Sequence, residues 1–252
     1  MSLALLPPPL TPSHQLSAQL SAQGYAVLDA DSVCALAGIT PEALHAWDAD
    51  WATLPPDLYL KDGGRYRRRR HASFVVTGEH VTRTAHRAHW QPLEYNALHG
   101  GMERWFEPMN DTTAAQPAWS RLLTWLAQVT ATLRQRPASA PQFVEAHQFR
   151  IDTTDGIGRP TPEGAHRDGV DVVAVFLVGR SGIKGGETRV FDADGPNGQR
   201  FTLTQPWSLL LLDDTRVIHE STPIQPVAPG GHRDTLVITL RGDGFQEDLM
   251  PA

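Results

Sequence analysis

Three side chains in two separated stretches are of the types that hold a catalytic metal. The run "GAHRDGV" places His166 and Asp168 two residues apart, and "TRVIHESTP" supplies His219. In extended backbone, alternate residues face the same way, so His166 and Asp168 share a face and Arg167 takes the other. Two imidazoles and one carboxylate on one face of a metal leave open positions. This suits a non-haem Fe(II) oxygenase, and zinc hydrolases use the same ligand types. A second His-x-Asp pair, His232 and Asp234, competes for the assignment, and a motif this short matches by chance. Arg233 and Thr235 favour the first pair. They open the stretch "RDTLVITLR" and share a face, so a guanidinium fork and a hydroxyl would meet one carboxylate. A cosubstrate that chelates metal at one end and carries a carboxylate at the other would span both features, and 2-oxoglutarate is such a molecule. Using His232 and Asp234 as ligands would leave Arg233 and Thr235 without a task.

These residues need a scaffold of strands. After Pro141 come "QFVEAHQFRI", "DVVAVFLVG", "GETRVFD", "RFTLT", "WSLLLLDD" and "DTLVITLR", rich in β-branched and aromatic residues and separated by Gly, Pro, Asn and Asp. Such a series without intervening helices predicts an antiparallel sandwich or jelly roll, in which strands distant in sequence bring their ends together. Ahead of it the chain reads as helical. "SHQLSAQLSAQ" predicts a helix with Ser13 as cap and Gly24 as stop, followed by the short strand "YAVLD". Residues 31–50 are helical with Thr40 capping before Pro41. Residues 117–135 form the clearest amphipathic helix, with Leu122, Trp125, Leu126, Val129 and Leu133 on one face. The expected organisation is a single domain over residues 1–252. It comprises a loose tail at 1–12, a mostly helical layer with the first strands at 13–140, and a jelly-roll core at 141–245.

The set His166-x-Asp168, His219 and Arg233 resembles the iron- and 2-oxoglutarate-dependent dioxygenase superfamily. The stretches "HRDGVDVVAVFLVGRSGIKGGETRVFD", "LLLLDDTRVIHESTPI" and "HRDTLVITLR" are similar to a narrower bacterial group that hydroxylates free amino acids, the isoleucine 4-hydroxylase-like enzymes. The resemblance spans residues 60–242 and is loose over the first 50. It implies a mainly β protein with an α layer, a double-stranded β-helix of cupin-like type flanked by N-terminal helices. It further implies Fe(II) on His166, Asp168 and His219, 2-oxoglutarate on Arg233 and Thr235, and O2 as oxidant. The implied reaction hydroxylates a free aliphatic L-amino acid such as leucine, isoleucine or methionine, with release of succinate and CO2.

An amino acid brings its own carboxylate and ammonium. The basic stretch "RYRRRRHASF" is the natural place to look for a partner, with Arg67 and Arg69 on one face. On "EAHQFRI", Gln148 and Arg150 share a face and are expected to reach cosubstrate or substrate, with His147 pointing away. Glu187 is a candidate wall residue, although Gly185-Gly186-Glu187 also reads as a tight turn. His80, His86, His89 and His99 show no spacing for a second metal. Two other readings remain: a metabolite-binding barrel without catalysis, and a metal hydrolase with Glu187 or Glu220 as base.

The bulk numbers set limits. The chain has 252 residues, a net charge of -6 and 40% apolar residues. That is a soluble globular composition with no basic excess for nucleic acid. One cysteine, Cys34, excludes an internal disulfide and suits a reducing compartment. The start "MSLALLPPPLTP" lacks the features of a signal peptide, and no run is long enough for a membrane span. The expectation is a cytoplasmic monomer or homodimer that acts on a small molecule.

Overall fold

The computed structural model describes residues 5–249. Its helices are α1 (Leu16–Gln23), α2 (Ala30–Ala37), α3 (Pro41–His45), α4 (Asp111–Ala114) and α5 (Pro117–Leu133). The first strands are β1 (Tyr25–Leu28), β2 (Arg67–Thr77), β3 (His80–Arg83) and β4 (Gln142–Asp152). Then come β5 (Val172–Ser181), β6 (Ile183–Gly185), β7 (Thr188–Asp192), β8 (Gly198–Phe201) and β9 (Ser208–Asp213). The last are β10 (Val217–Ser221), β11 (Ile224–Pro226) and β12 (His232–Arg241).

A seven-stranded antiparallel sheet runs in the order β1-β9-β5-β12-β4-β2-β3. A small sheet, β10-β7-β8, faces it, and β11 pairs with β6 beside them. This is the jelly roll, mostly β with a helical layer. Strands β5 and β9 read as unbroken apolar runs because both of their faces are covered. Val172, Ala174, Phe176, Leu209 and Leu211 pack outward under the helices. Val173, Leu177, Leu210 and Leu212 pack inward against Val190, Phe201 and Val217 of the small sheet and its flank.

Local signals explain the helix ends. Gly24 ends α1 in the left-handed region (φ 73°), Asp29 caps α2 by accepting from Ser32 N at 2.8 Å, and Thr40 caps α3 through Ala43 N at 3.3 Å. The expected cap by Ser13 is absent: a short 3-10 turn over Ser13–Gln15 follows Pro12, with no side-chain cap. The proline-rich start is tied down where it is described. Leu6 O accepts from Thr202 N at 2.9 Å, and Thr11 N donates to Val27 O at 2.7 Å. Residues 1–4 of the expected loose tail lie outside the described residues.

The helical layer grips the large sheet through tryptophans. Trp207, 0% exposed, stands edge-on to Trp47 at 5.7 Å and Trp51 at 6.0 Å, and donates to Asp48 Oδ1 at 3.0 Å. Trp51 donates to the carbonyls of Phe149 on β4 (3.0 Å) and Thr235 on β12 (3.2 Å), which fixes the strands that carry the site. Trp207→Ala is expected to cost about 3–5 kcal/mol in chemical denaturation. A loss below about 1 kcal/mol would show that this cluster does not anchor the helices.

Candidate active site

His166 sits just before β5 and pairs by backbone with His219 on β10: His166 N donates to His219 O at 3.1 Å and His219 N to His166 O at 2.9 Å. This two-way bond lays the imidazoles side by side, 4.6 Å between centroids. Asp168 completes the set. Its Oδ1 lies 3.8 Å from His166 Nε2 and its Oδ2 lies 3.8 Å from His219 Nε2. His166 Nδ1 donates to Gly164 O at 2.9 Å, which leaves the Nε2 lone pair aimed at the gap between the three groups. Burial acts to lower the His166 pKa, but the Asp168 and Glu163 carboxylates outweigh it and raise it. Burial, reinforced by neighbouring His166, pushes His219 well down.

Asp214 holds the loop that carries Asp168. Its carboxylate accepts from three successive backbone N–H groups, those of Asp168 (3.0 Å), Gly169 (2.8 Å) and Val170 (3.1 Å). Gln246 Nε2 donates to the carbonyls of Asp168 (2.7 Å) and Gly169 (3.0 Å). Gly169 is required here. Its φ is +76°, and a Cβ would lie 2.4 Å from the Tyr95 ring. Gln91 Nε2 donates to Asp168 Oδ1 at 3.2 Å.

Arg233 opens β12, opposite Ile151 on β4 and Arg180 on β5, and only 4% of it is exposed. Burial, with neighbouring Arg180, lowers its pKa to about 10. No described residue accepts a hydrogen bond from its guanidinium: Asp234, next on the strand, faces the other side and is taken by Arg150 in a two-point pair at 2.8 and 2.7 Å. Thr235, two residues along, faces the same cavity. That cavity joins Arg233 to His166, Asp168 and His219, and extends to Arg67 and Arg69 on β2.

Other expectations need correction. Gln148 and Arg150 lie on the outer face of β4: Gln148 donates to Asp50 under the helical layer, and Arg150 pairs with Asp234. The inward residues are Glu145, His147, Phe149 and Ile151, so the two faces of β4 are the reverse of the expected ones. Glu187 belongs to the turn, with Gly185 and Gly186 at φ 82° and 68°, and its carboxylate accepts from Arg189 at 3.0 Å, outside the cavity. The rival ligands also fall apart, since Asp234 is committed to Arg150.

A family model described as 2OG-Fe dioxygenase matches residues 48–239. The chain belongs to the 2OG-Fe dioxygenase family. It is 53% identical to a bsmA homolog from Methylobium petroleophilum PM1, over 96% of this chain and 97% of that one, with a TM-score of 0.90. The fold is shared with IDO from Bacillus thuringiensis (17% identity, 97% and 99% of the chains, TM-score 0.74). It is shared too with the Fe(II)/(alpha)ketoglutarate-dependent dioxygenase TqaL (21%, 91% and 86%, TM-score 0.68). No curated protein matches the sequence.

This dioxygenase therefore uses Fe(II), 2-oxoglutarate and O2, and the residues present fit them. His166, Asp168 and His219 offer two imidazole nitrogens and a carboxylate oxygen, all within 4.8 Å of one another. Arg233 offers a buried cation with unspent donors.

A second buried cluster, His71, His89, Glu145 and His147, also gathers ligand-type atoms within 4.8 Å. Its hydrogen bonds favour a proton network over a cation. Glu145 Oε1 accepts from His71 Nε2 and His89 Nδ1, each at 3.0 Å. Arg69 donates to His147 Nδ1 at 2.7 Å, whereas metal on Nε2 would call for a proton at Nδ1. Burial keeps the histidines neutral, bringing His89 to about 4. Spacing could not reveal this cluster, because its members come from β2, β4 and the loop at 84–110. The same loop supplies Gln91 and Arg104, each a lone polar residue without a pattern.

Through the backbone, the Asp214 carboxylate would steady Asp168 for a metal held by His166, Asp168 and His219. Asp214→Asn would leave one of three N–H donors without a good acceptor, at about 1–3 kcal/mol. Iron affinity is expected to fall roughly 10- to 100-fold, read by Fe(II) titration beside a thermal melt. Unchanged metal affinity would show that the loop is held by Gln246 alone.

Proposed function

We propose that this dioxygenase hydroxylates a free L-amino acid with an aliphatic side chain, leucine, isoleucine and methionine being the first to test, with succinate and CO2 as coproducts. The observation that carries this reading is the wall beside His166, Asp168 and His219. Arg67, 6% exposed, reaches the cavity with Nη2 unpartnered, its Nε held by Asp57 at 2.7 Å. Arg104 on the same wall also has a buried Nε without a partner, and spare guanidinium donors of this kind suit a substrate carboxylate. Ile151, Pro160 and Val170 supply apolar surface in the same chamber. The buried Cys34 thiol and the absence, among the described residues, of a helix long and apolar enough to cross a membrane fit a cytoplasmic metabolic enzyme.

Bound to His166, Asp168 and His219, Fe(II) with 2-oxoglutarate supplies an oxidant able to attack an unactivated C–H bond. The chain positions the reactants. Arg233 and Thr235 would take the distal carboxylate of 2-oxoglutarate, and Val175 and Val237 line the cavity beside them and exclude water. Gln91 and Gly164 O fix the orientations of Asp168 and His166. No protein acid or base is needed at the carbon that reacts.

The test is a product search by mass spectrometry with Fe(II), ascorbate, 2-oxoglutarate and individual free amino acids. An amino acid carrying one added oxygen, formed in step with succinate, is expected. Succinate formation that no amino acid stimulates would refute the substrate class.

A further inference from the structure

We propose that Arg104 and Glu163 read the two ends of the substrate, the carboxylate on Arg104 and the ammonium on Glu163, so that only an amino acid free at both ends is accepted. This rests on the reading of the substrate as an amino acid and goes beyond it by assigning its two charges.

The charged groups of the chamber sort themselves by what they have left to give. Arg67 and Arg69 share Asp57, at 2.7 and 3.9 Å. Arg69 is further immobilised between the rings of Phe106 and Phe149, 3.6 and 4.3 Å from its guanidinium carbon. Glu145 is taken by two imidazole N–H groups. Arg67 and Arg69 each keep one spare donor, Nη2 and Nε, but both already have a carboxylate in Asp57; Arg104 and Glu163 are the opposite charges with the most left to give. Arg104 is 2% exposed and has no ion-pair partner among the described residues. Its Nη2 donates to Gln91 Oε1 at 3.0 Å and its Nε is buried without a partner. Glu163 has a buried Oε2 without a partner, and its Oε1 stands 3.6 Å from His166 Nε2.

The two groups line one cavity with His166, and Glu163 stands on the His166 side of it, 3.6 Å from the imidazole. A backbone pair between His89 and Arg104, with N–O distances of 2.9 and 3.0 Å, anchors the arginine in the loop that covers the chamber.

A buried charge without a partner is costly, and the cost falls when a ligand brings the opposite charge. A zwitterion would satisfy both groups at once. A dicarboxylate would set an anion against Glu163, and a diamine would set a cation against Arg104. The carboxylate site is also wired to the metal set. Arg104 donates to Gln91 Oε1, and Gln91 Nε2 donates to Asp168 Oδ1. A substrate carboxylate that settles Arg104 thus steadies a ligand of the iron.

The experiment uses the full chain loaded with Mn(II) and N-oxalylglycine, so that nothing turns over. Calorimetry measures binding of L-leucine, L-isoleucine and L-methionine, each beside its amide and its N-acetyl derivative. The free acids are expected to bind at least about 100-fold tighter than either derivative. Arg104→Gln should collapse the preference over the amide and keep the preference over the N-acetyl compound. Glu163→Gln should do the reverse. Equal binding of acid, amide and N-acetyl compound by the unaltered protein overturns the assignment, as does discrimination that survives both substitutions. If N-oxalylglycine binds and none of the free amino acids does, the amino-acid reading itself fails and takes the assignment with it.

Discussion

Asp168→Ala is expected to abolish turnover of 2-oxoglutarate and leave the protein folded. The carboxylate is the bridge of the candidate metal set, 3.8 Å from the Nε2 atoms of both histidines. Without it two imidazoles remain, and two neutral ligands hold Fe(II) weakly. The loss should exceed the roughly 10- to 100-fold expected when a supporting group such as Asp214 is altered. Folding should hardly notice. The Asp168 side chain accepts one hydrogen bond, from Gln91, while the loop is held by backbone bonds to Asp214 and Gln246 that the substitution leaves in place. Asp214 gains, because burial and the Asp168 charge together push it up to about 7, and the substitution removes the second cause. Stability should stay within about 1 kcal/mol. The measurements are Fe(II) titration, succinate formation and a thermal melt on one preparation. Succinate at the unaltered rate would show that the metal sits elsewhere, and the cluster at His71, His89, Glu145 and His147 would then be the place to look.

How the sequence announces such a site depends on the local pattern. His166 and Asp168 are legible because alternation fixes their shared face and because an apolar strand follows at once. Arg233 is legible because it opens a strong strand with Thr235 in step. The faces of β4 are not legible. That strand is covered on both sides, by the helical layer over Gln148 and by the chamber over His147, and polar residues occupy both faces. Alternation says which residues share a face and is silent on which face is inside. The choice of Gln148 and Arg150, with His147 pointing away, failed for that reason. Glu187 shows a different limit. A double glycine before a carboxylate fits both a turn and a site wall, and the salt bridge with Arg189 that decides it comes from a residue of ordinary surface type. Arg104, Gln91 and Glu163 come from irregular loops, where no period exists to read.

Arg233→Met should separate the two things that a buried cation does. Methionine keeps much of the aliphatic length and removes the guanidinium. In the absence of 2-oxoglutarate the substitution should stabilise the fold, since Arg233 is 4% exposed and has no acceptor among the described residues. Its lowered pKa, about 10, reflects that burial and the neighbouring Arg180 charge. With 2-oxoglutarate the sign reverses. Losing one partner of a buried, hydrogen-bonded charge pair costs about 2–5 kcal/mol, which is a rise in the 2-oxoglutarate KM of roughly 30- to 4,000-fold. Arg180 is poorly placed to take over. It already donates to Leu203 O at 3.3 Å and to Gly185 O at 3.1 Å, and turning it inward would break both bonds. A melt with and without 2-oxoglutarate, in Mn(II) to prevent turnover, reads both effects together. The variant should melt higher than the parent when empty and gain little from the ligand. If 2-oxoglutarate raises the two melting temperatures equally, the arginine does not hold the cosubstrate, and the cavity must seat it in another orientation.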